Sequence, residues 1–560
     1  MSTLGVGRAV AAATGSLDSP PELASSNPAS AAPPTRTGGR PVMLTLGIDQ
    51  WVELHQLESA ACEQAPVELD EQVWNRVRTS RETLEKFVLD ERVIYGVNTS
   101  LGGFVDWLVP IGMARTLQEN LLNAVATNVG SYLDDTTVRA IMLARIVSLA
   151  RGNSAISVTN LDKLMAVYNS GIVACVPEKG SLGTSGDLGP LAAIALVCIG
   201  QWKARYRGEM MPAAVALERA GIEPMVLGFK EGLALINGTS GMVGLGSLVF
   251  AKARRLLDTY LTVSALSVEG LRGMTKPFDP RVHALKPHRG QREIAARLWE
   301  ALSDSQLAVN EQLTEKILAD EMDSSVKAGS MSIEDAYSIR CTPQILGPVL
   351  DSFAAIAQTL ENELNSSNDN PLVVPDENDV FHNGHFHGQY VAMAMDHLVL
   401  ALATITNLAN RRIDRFLDSS NSNGLPPFLC REDPGLRLGL MGGQFMTASV
   451  TAETRAMSVP MSIQSLTTTG DFQDIVSFGF VAARRAREVL ANAAYVVAFE
   501  LLCACQAVDI RGPVGMSSAT RELYERTRAI VPYLGFDVTI TDYLEAVAAQ
   551  LLSVPARVAA

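Results

Sequence analysis

The stretch GSLGTSGDLGPLA, Gly180 to Ala192, sets glycines and hydroxyl residues between two apolar segments, SGIVACVPEK and AAIALVCIGQW. A phosphate loop would need G-x-x-x-x-G-K-[ST], but the residue after Gly186 is Asp187, which repels phosphate. A hydrolase elbow would need G-x-S-x-G, and the residue two after Ser185 is again Asp187. The tripeptide Thr184-Ser185-Gly186 has a chemistry of its own. Attack of the Gly186 nitrogen on the Thr184 carbonyl carbon, with loss of two waters, would turn Ser185 into a methylidene on an imidazolone ring. Glycine at the attacking position keeps a side chain out of the closure, and its glycine neighbours let the backbone bend tightly enough. A helix beginning just beyond would favour the negative charge that such a methylidene gains when a nucleophile adds to it.

The elements that must position this loop read as helices from about residue 45 onward. In VLDSFAAIAQTLENEL, Val349, Phe353, Ile356, Leu360 and Leu364 recur at spacings that put them on one helix face. LDDTTVRAIMLARIVSLARGN opens on the capping candidates Asp134 and Asp135 and stops at Gly152. DIVSFGFVAARRAREVLANAAYVVAFELLCACQAVDI runs from Asp474 to Ile510 without a proline, and GQYVAMAMDHLVLALATITNLANRRIDRFL is another long segment of the same kind. Strand-like alternation is scarce. The expectation is a mostly α protein, a bundle of long packed helices, with the glycine-rich loop feeding a helix near Leu191. Residues 1–40, rich in Ala, Ser, Pro and Gly, read as a disordered tail. Residues 41–240 then form a region that carries the loop, and 241–560 a central long-helix bundle with a C-terminal helical region.

With 47% hydrophobic residues in 560, the chain can bury a large core. A net charge of −14 argues against a nucleic-acid partner, whose phosphates need clustered Lys and Arg. The apolar windows PLAAIALVCIG and HLVLALATITNLAN fall short of the roughly 20 residues that cross a bilayer, so no membrane partner is expected. Seven cysteines without a C-x-x-C suggest neither a disulfide framework nor a zinc site, which fits the cytoplasm.

The loop resembles the signature of the methylideneimidazolone (MIO) enzymes, the histidine, phenylalanine and tyrosine ammonia-lyases and the related 2,3-aminomutases. Their usual tripeptide is Ala-Ser-Gly, so Thr184 is a departure, though residue 184 lends only its carbonyl to the ring. The resemblance extends in order through YGVNTSLGG, FKEGLALINGTSGM, AYSIRCTPQILG, ELNSSNDNPL, FHNGHFHGQ, GLPPFL and TTTGDFQDIVSFG. Within the family, Thr-Ser-Gly and TTTGDFQDIVSFG are most similar to bacterial phenylalanine 2,3-aminomutases that supply β-phenylalanine for antibiotic biosynthesis.

This resemblance implies an MIO formed autocatalytically from Thr184, Ser185 and Gly186, with no metal and no exogenous cofactor. It also implies an aromatic amino acid substrate and a homotetramer whose active sites are each shared among three subunits. By the same resemblance Tyr95 is the base that takes the benzylic proton, so its site must favour phenolate over the ordinary phenol of pKa about 10. Arg340 is the carboxylate-binding arginine, suited to a two-oxygen grip, and Tyr337 assists amine handling. Glu334 stands where the family often has glutamine, which leaves its role open. Asn237 is the asparagine that hydrogen-bonds the MIO or the substrate carboxylate. Phe386 and Gln473 are a wall and a polar neighbour of the site; histidine ammonia-lyases have glutamate at the position of Gln473, which speaks against an imidazole substrate. Val125 replaces the histidine that meets the phenol hydroxyl in tyrosine-selective relatives, and Leu121, Phe445 and Phe472 fall on the same ring pocket. A buried hydroxyl without a partner costs a few kcal/mol, so this pocket should prefer phenylalanine.

The competing constellation is His382, His385 and His387 with Asp369 or Asp396, which would suggest a metal-dependent hydrolase, although no H-E-x-x-H helix is present. A non-enzymatic helical scaffold is the third alternative. The expected activity is conversion of L-phenylalanine to β-phenylalanine, of S configuration, through trans-cinnamate, with ammonia release as a side reaction. The alternative within the family is a lyase that only releases cinnamate and ammonia.

Overall fold

A computed structural model describes residues 42–553; the 1–40 segment expected to be a disordered tail lies outside them. The expected mostly α architecture is what the chain adopts, and four long helices organise it: Ser240–Leu271, Thr342–Leu364, Gln389–Leu417 and Gly479–Arg511. Gly479–Arg511 packs against both Gln389–Leu417 and Ser240–Leu271, and Asp135–Ala150 lies along Ser240–Leu271. The predicted stripe Val349, Phe353, Ile356, Leu360 and Leu364 is buried, as its spacing requires. Asp134 caps the helix Asp135–Ala150, its side chain accepting from Thr137 N. Strands are short, none longer than four residues among those described, and form small two- and three-stranded sheets around the loop-bearing part.

Of the two apolar windows, PLAAIALVCIG falls on the 11-residue helix Leu188–Cys198 and HLVLALATITNLAN inside the 29-residue helix Gln389–Leu417. By length and composition alone, Gln389–Leu417 and the 33-residue helix Gly479–Arg511 are long and apolar enough to cross a bilayer. Most of the apolar length of these two helices is buried inside the fold, so it covers neighbouring helices. Between them lies a buried ion pair, Arg412 Nη1 to Glu500 Oε1 at 3.1 Å, with Arg412 also donating to Ser264 Oγ at 2.8 Å and Thr342 Oγ1 at 2.6 Å. Charges so placed tie helices together because each donor and acceptor needs its partner once water is excluded. The expected border at residue 240 falls on the first turn of Ser240–Leu271, a helix buried along most of its length.

Candidate active site

The glycine-rich loop is held from both sides by backbone. Gly186 has φ of +73°, and a Cβ placed there would stand 2.0 Å from the Gly238 carbonyl oxygen. Asp187 N–H donates to that oxygen at 2.8 Å, and Gly238 N–H donates to Ser185 O at 3.1 Å. The Asn237-Gly238 pair, which local sequence alone leaves readable as a turn, is therefore a clamp on the tripeptide. The cradle fits an imidazolone ring at residues 184–186, since the close approach that the ring demands at Gly186 leaves no room for a side chain.

The helix expected near Leu191 begins at Leu188 and runs to Cys198. Asp187, at its N-cap position, turns its carboxylate to another helix: it accepts from Met242 N–H at 2.6 Å, in the first turn of Ser240–Leu271, and from Ser181 Oγ at 3.1 Å. Complete burial pushes its carboxyl up to about 7, against the pull of the hydrogen bonds from Met242, Ser181 and Gly241.

Two hollows of about 590 and 770 Å³ meet at the tripeptide, and Tyr95, Thr184, Ser185 and Gln473 line both. The first adds Asn237, Phe386 and Phe472; the second adds Gly186, Leu121 and Val125, the last two from the helix Ala114–Val125. Leu121, Val125 and Phe472 thus lie in hollows that border the tripeptide, although they come from loops and helix ends far apart in the chain. Tyr337, Arg340 and Phe445 line neither hollow of the single chain. Tyr337 and Phe445 are largely exposed, at 70% and 65%. Arg340 stacks over the Tyr337 ring at 4.7 Å, pairs with Glu334 at 2.8 Å and donates from Nε to Asp335 O at 2.9 Å. Tyr337 and Arg340 do share a face of the short helix Tyr337–Arg340, but the guanidinium fork is already engaged by its neighbours.

Tyr95 is anchored at two points. Its N–H donates to His382 Nε2 at 3.1 Å, and its hydroxyl accepts from Gly102 N–H at 3.0 Å. Burial pushes the phenol above its usual range, and the Gly102 N–H only partly opposes this, so within one chain the surroundings disfavour the phenolate that a base needs. His382 serves the Tyr95 loop, while Asp369 is bonded to Lys230 and Asn237, and Asp396 accepts from Met461 and Ser462 N–H. The carboxylates of the competing metal constellation thus have other partners. Asn370, for which the sequence suggests no role, lines the first hollow, as do His382 and His387, which it offers only as candidate metal ligands. Their signal was present in ELNSSNDNPL and FHNGHFHGQ, but nothing in the spacing of those segments aims a side chain at residues 184–186.

Known proteins share this fold. The structure superimposes on that of a phenylalanine aminomutase from Pantoea agglomerans with a TM-score of 0.90 and 67% sequence identity, covering 91% of this chain and 99% of that one. It superimposes on a tyrosine aminomutase from Streptomyces globisporus with a TM-score of 0.87 and 38% identity, covering 91% and 97%. A histidine ammonia-lyase from Natranaerobius thermophilus is 38% identical over 481 residues, 86% of this chain and 91% of the relative. Residues 52–529 match the aromatic amino acid lyase family, and with the glycine-clamped tripeptide at the meeting of the two hollows, the chain belongs to that family.

Proposed function

We propose that the protein is a phenylalanine 2,3-aminomutase that converts L-phenylalanine to (S)-β-phenylalanine through trans-cinnamate, using an MIO made from Thr184, Ser185 and Gly186. The observation that carries this reading is that the tripeptide and Tyr95 lie where two hollows meet, one lined by Leu121 and Val125 and the other by Phe472. The similarity to the Pantoea phenylalanine aminomutase supports the same substrate. When formed, the MIO supplies an electrophilic carbon that makes the substrate amine a better leaving group.

The chain's own residues do the rest. Tyr95 takes a proton from the benzylic carbon and returns it to the α-carbon when the amine re-adds at the β-carbon. Its loop, tied to His382, keeps cinnamate in place between the two steps. Val125 and Leu121 offer a tyrosine hydroxyl no hydrogen bond, and Gln473 is neutral where an imidazole substrate would favour a carboxylate. Arg340 grips the carboxylate as a bidentate cation. Because Tyr337, Arg340 and Phe445 line neither hollow of a single chain, they reach a site in another subunit of a homotetramer. There Arg340 exchanges Glu334 for the substrate, and its charge draws the Tyr95 phenol back down.

The reading is tested by incubating the purified protein with L-phenylalanine and resolving products over time by chiral chromatography. Early (S)-β-phenylalanine with minor trans-cinnamate is expected. Cinnamate and ammonia alone would make the protein a lyase, and turnover of histidine in preference to phenylalanine would overturn the pocket assignment.

A further inference from the structure

The helix Ala114–Val125 buries Ala114, Gln118 and Leu122 on one face, so a polar side chain stands in the middle of an otherwise apolar stripe. Gln118 is not exposed at all. A buried amide costs free energy unless both of its ends find partners, and here both do. Its Oε1 accepts from Leu233 N–H at 2.9 Å, and its Nε2 donates to the Gly96 carbonyl oxygen at 3.1 Å. The amide cannot be turned over, because one partner only donates and the other only accepts. Leu233 stands in the first turn of the helix Glu231–Ile236, where N–H groups have no partner within the helix. Gly232 lets the two helices meet this closely: a Cβ there would stand 2.9 Å from both the Cβ and the carbonyl oxygen of Gln118.

The other end of the bridge reaches the loop of Tyr95. Gly96 follows Tyr95 directly and has φ of +67°, and a Cβ on it would stand 2.6 Å from Leu233 Cδ2 and 2.9 Å from Leu101 Cδ2. Glycine permits that conformation but does not enforce it, so the direction of the Gly96 carbonyl has to be set from outside the turn. Gln118 sets it. The Gly96 N–H, by contrast, stays within the loop and donates to Thr99 Oγ1 at 3.1 Å. Three elements that border the tripeptide thus meet at one amide: the loop of Tyr95, the helix of Leu233, and the helix that brings Leu121 and Val125 to the second hollow.

We propose that Gln118 is a positioning residue for Tyr95: by holding the Gly96 carbonyl it sets where the phenol stands relative to the tripeptide, and through its helix it ties that placement to the ring pocket. This rests on the reading of Tyr95 as the base that moves the benzylic proton. Gln118 itself lines neither hollow, so its removal takes no contact from the substrate. What it changes is the distance the proton has to travel, and a reacting group displaced by ~1 Å loses on the order of a hundredfold in rate.

The test compares the unaltered enzyme with Gln118→Met, which keeps the length of the side chain and removes both hydrogen bonds. Rates of L-phenylalanine turnover are divided by ring content, read from near-UV absorbance, so that molecules without the ring do not count. kcat should fall about tenfold or more while KM stays within about threefold, and the isotope effect from deuterium at the β-carbon should not fall, because proton transfer is the step that slows. Hydrogen exchange should accelerate across residues 94–103 and not across the helix Leu188–Cys198. A KM that rises as kcat falls, a diminished isotope effect, or exchange that does not single out residues 94–103 overturns the proposal, since a merely structural amide gives those patterns; an unchanged kcat overturns it too. If Gln118→Met does not assemble, Gln118→Glu at about pH 9 takes its place with the same expectations: ionised, it keeps an oxygen for Leu233 N–H and has no proton for Gly96. Turnover of L-phenylalanine by the unaltered protein and its loss in Tyr95→Phe report separately on the reading beneath, and failure of either overturns both.

Discussion

Gly238→Ala is the sharpest test of the proposed formation of an electrophile from the chain itself, because Gly238 contributes no atom to the proposed ring. Its φ is +145°, which residues with a side chain avoid, and a Cβ there would stand 2.4 Å from Asn368 Oδ1, 2.5 Å from Asn368 O and 2.6 Å from Arg145 Nη1. These neighbours are backbone or buried and hydrogen-bonded, so Gly238 has to move. Its movement breaks the contacts with Asp187 N–H and Ser185 O that press the tripeptide together. Backbone strain of about 1–3 kcal/mol and two hydrogen bonds at about 1 kcal/mol each give roughly 3–5 kcal/mol of destabilisation. That is a large share of the roughly 5–15 kcal/mol that holds a typical domain, so the chain should fold with a lowered urea midpoint. The methylidene should form poorly or not at all. Intact mass reads the loss of two waters directly, and near-UV absorbance reads the ring. Ser185→Ala is the control: it leaves the clamp untouched, should cost under about 1 kcal/mol, and cannot lose the hydroxyl it no longer has. Complete loss of two waters in Gly238→Ala, with stability within about 1 kcal/mol of the unaltered protein, would falsify the clamp as the source of the ring closure.

Asp187 makes the loop pH-sensitive. Its folded pKa of about 7 lies above the ordinary 3.8, so the stability it contributes is full below about pH 4 and is lost as pH rises through 7. The difference in unfolding free energy between Asp187→Asn and the unaltered protein should therefore shift in favour of the variant from pH 4 to pH 8, by on the order of 4 kcal/mol at most; a pH-independent difference excludes Asp187 as the cause. Tyr95→Phe and Arg340→Lys should each be nearly inactive with the ring intact, and, on the proposal that Tyr95 and Arg340 of one chain serve different sites, refolding the two together should restore part of the activity. Failure of the mixture to exceed its parents would place both residues in one site. Val125→His should raise turnover of tyrosine relative to phenylalanine by about tenfold or more, by giving the hydroxyl a partner; an unchanged ratio would remove Val125 from the ring pocket.

The sequence by itself determined the helices and pointed to the tripeptide from which an electrophile is proposed to form. Helical periodicity is a local property, so the stripe from Val349 to Leu364 and the cap at Asp134 could be read from spacing alone. The ring closure proposed at Thr184, Ser185 and Gly186 uses adjacent atoms of the chain, so its chemistry too was legible before any fold. Tertiary structure decided what surrounds them. Whether Asn237-Gly238 is a turn or a clamp depends on Ser185 and Asp187, about fifty residues away, and the Asn237 side chain is bonded to Asp369, 132 residues away. The lengths of the helices Gln389–Leu417 and Gly479–Arg511 were visible, but their use as mutual cover around the Arg412–Glu500 pair was not, because burial depends on partners that sequence distance does not name. The phenol of Tyr95 and the carboxyl of Asp187 are moved by desolvation, a property of everything packed around a group and of none of the residues beside it in the chain.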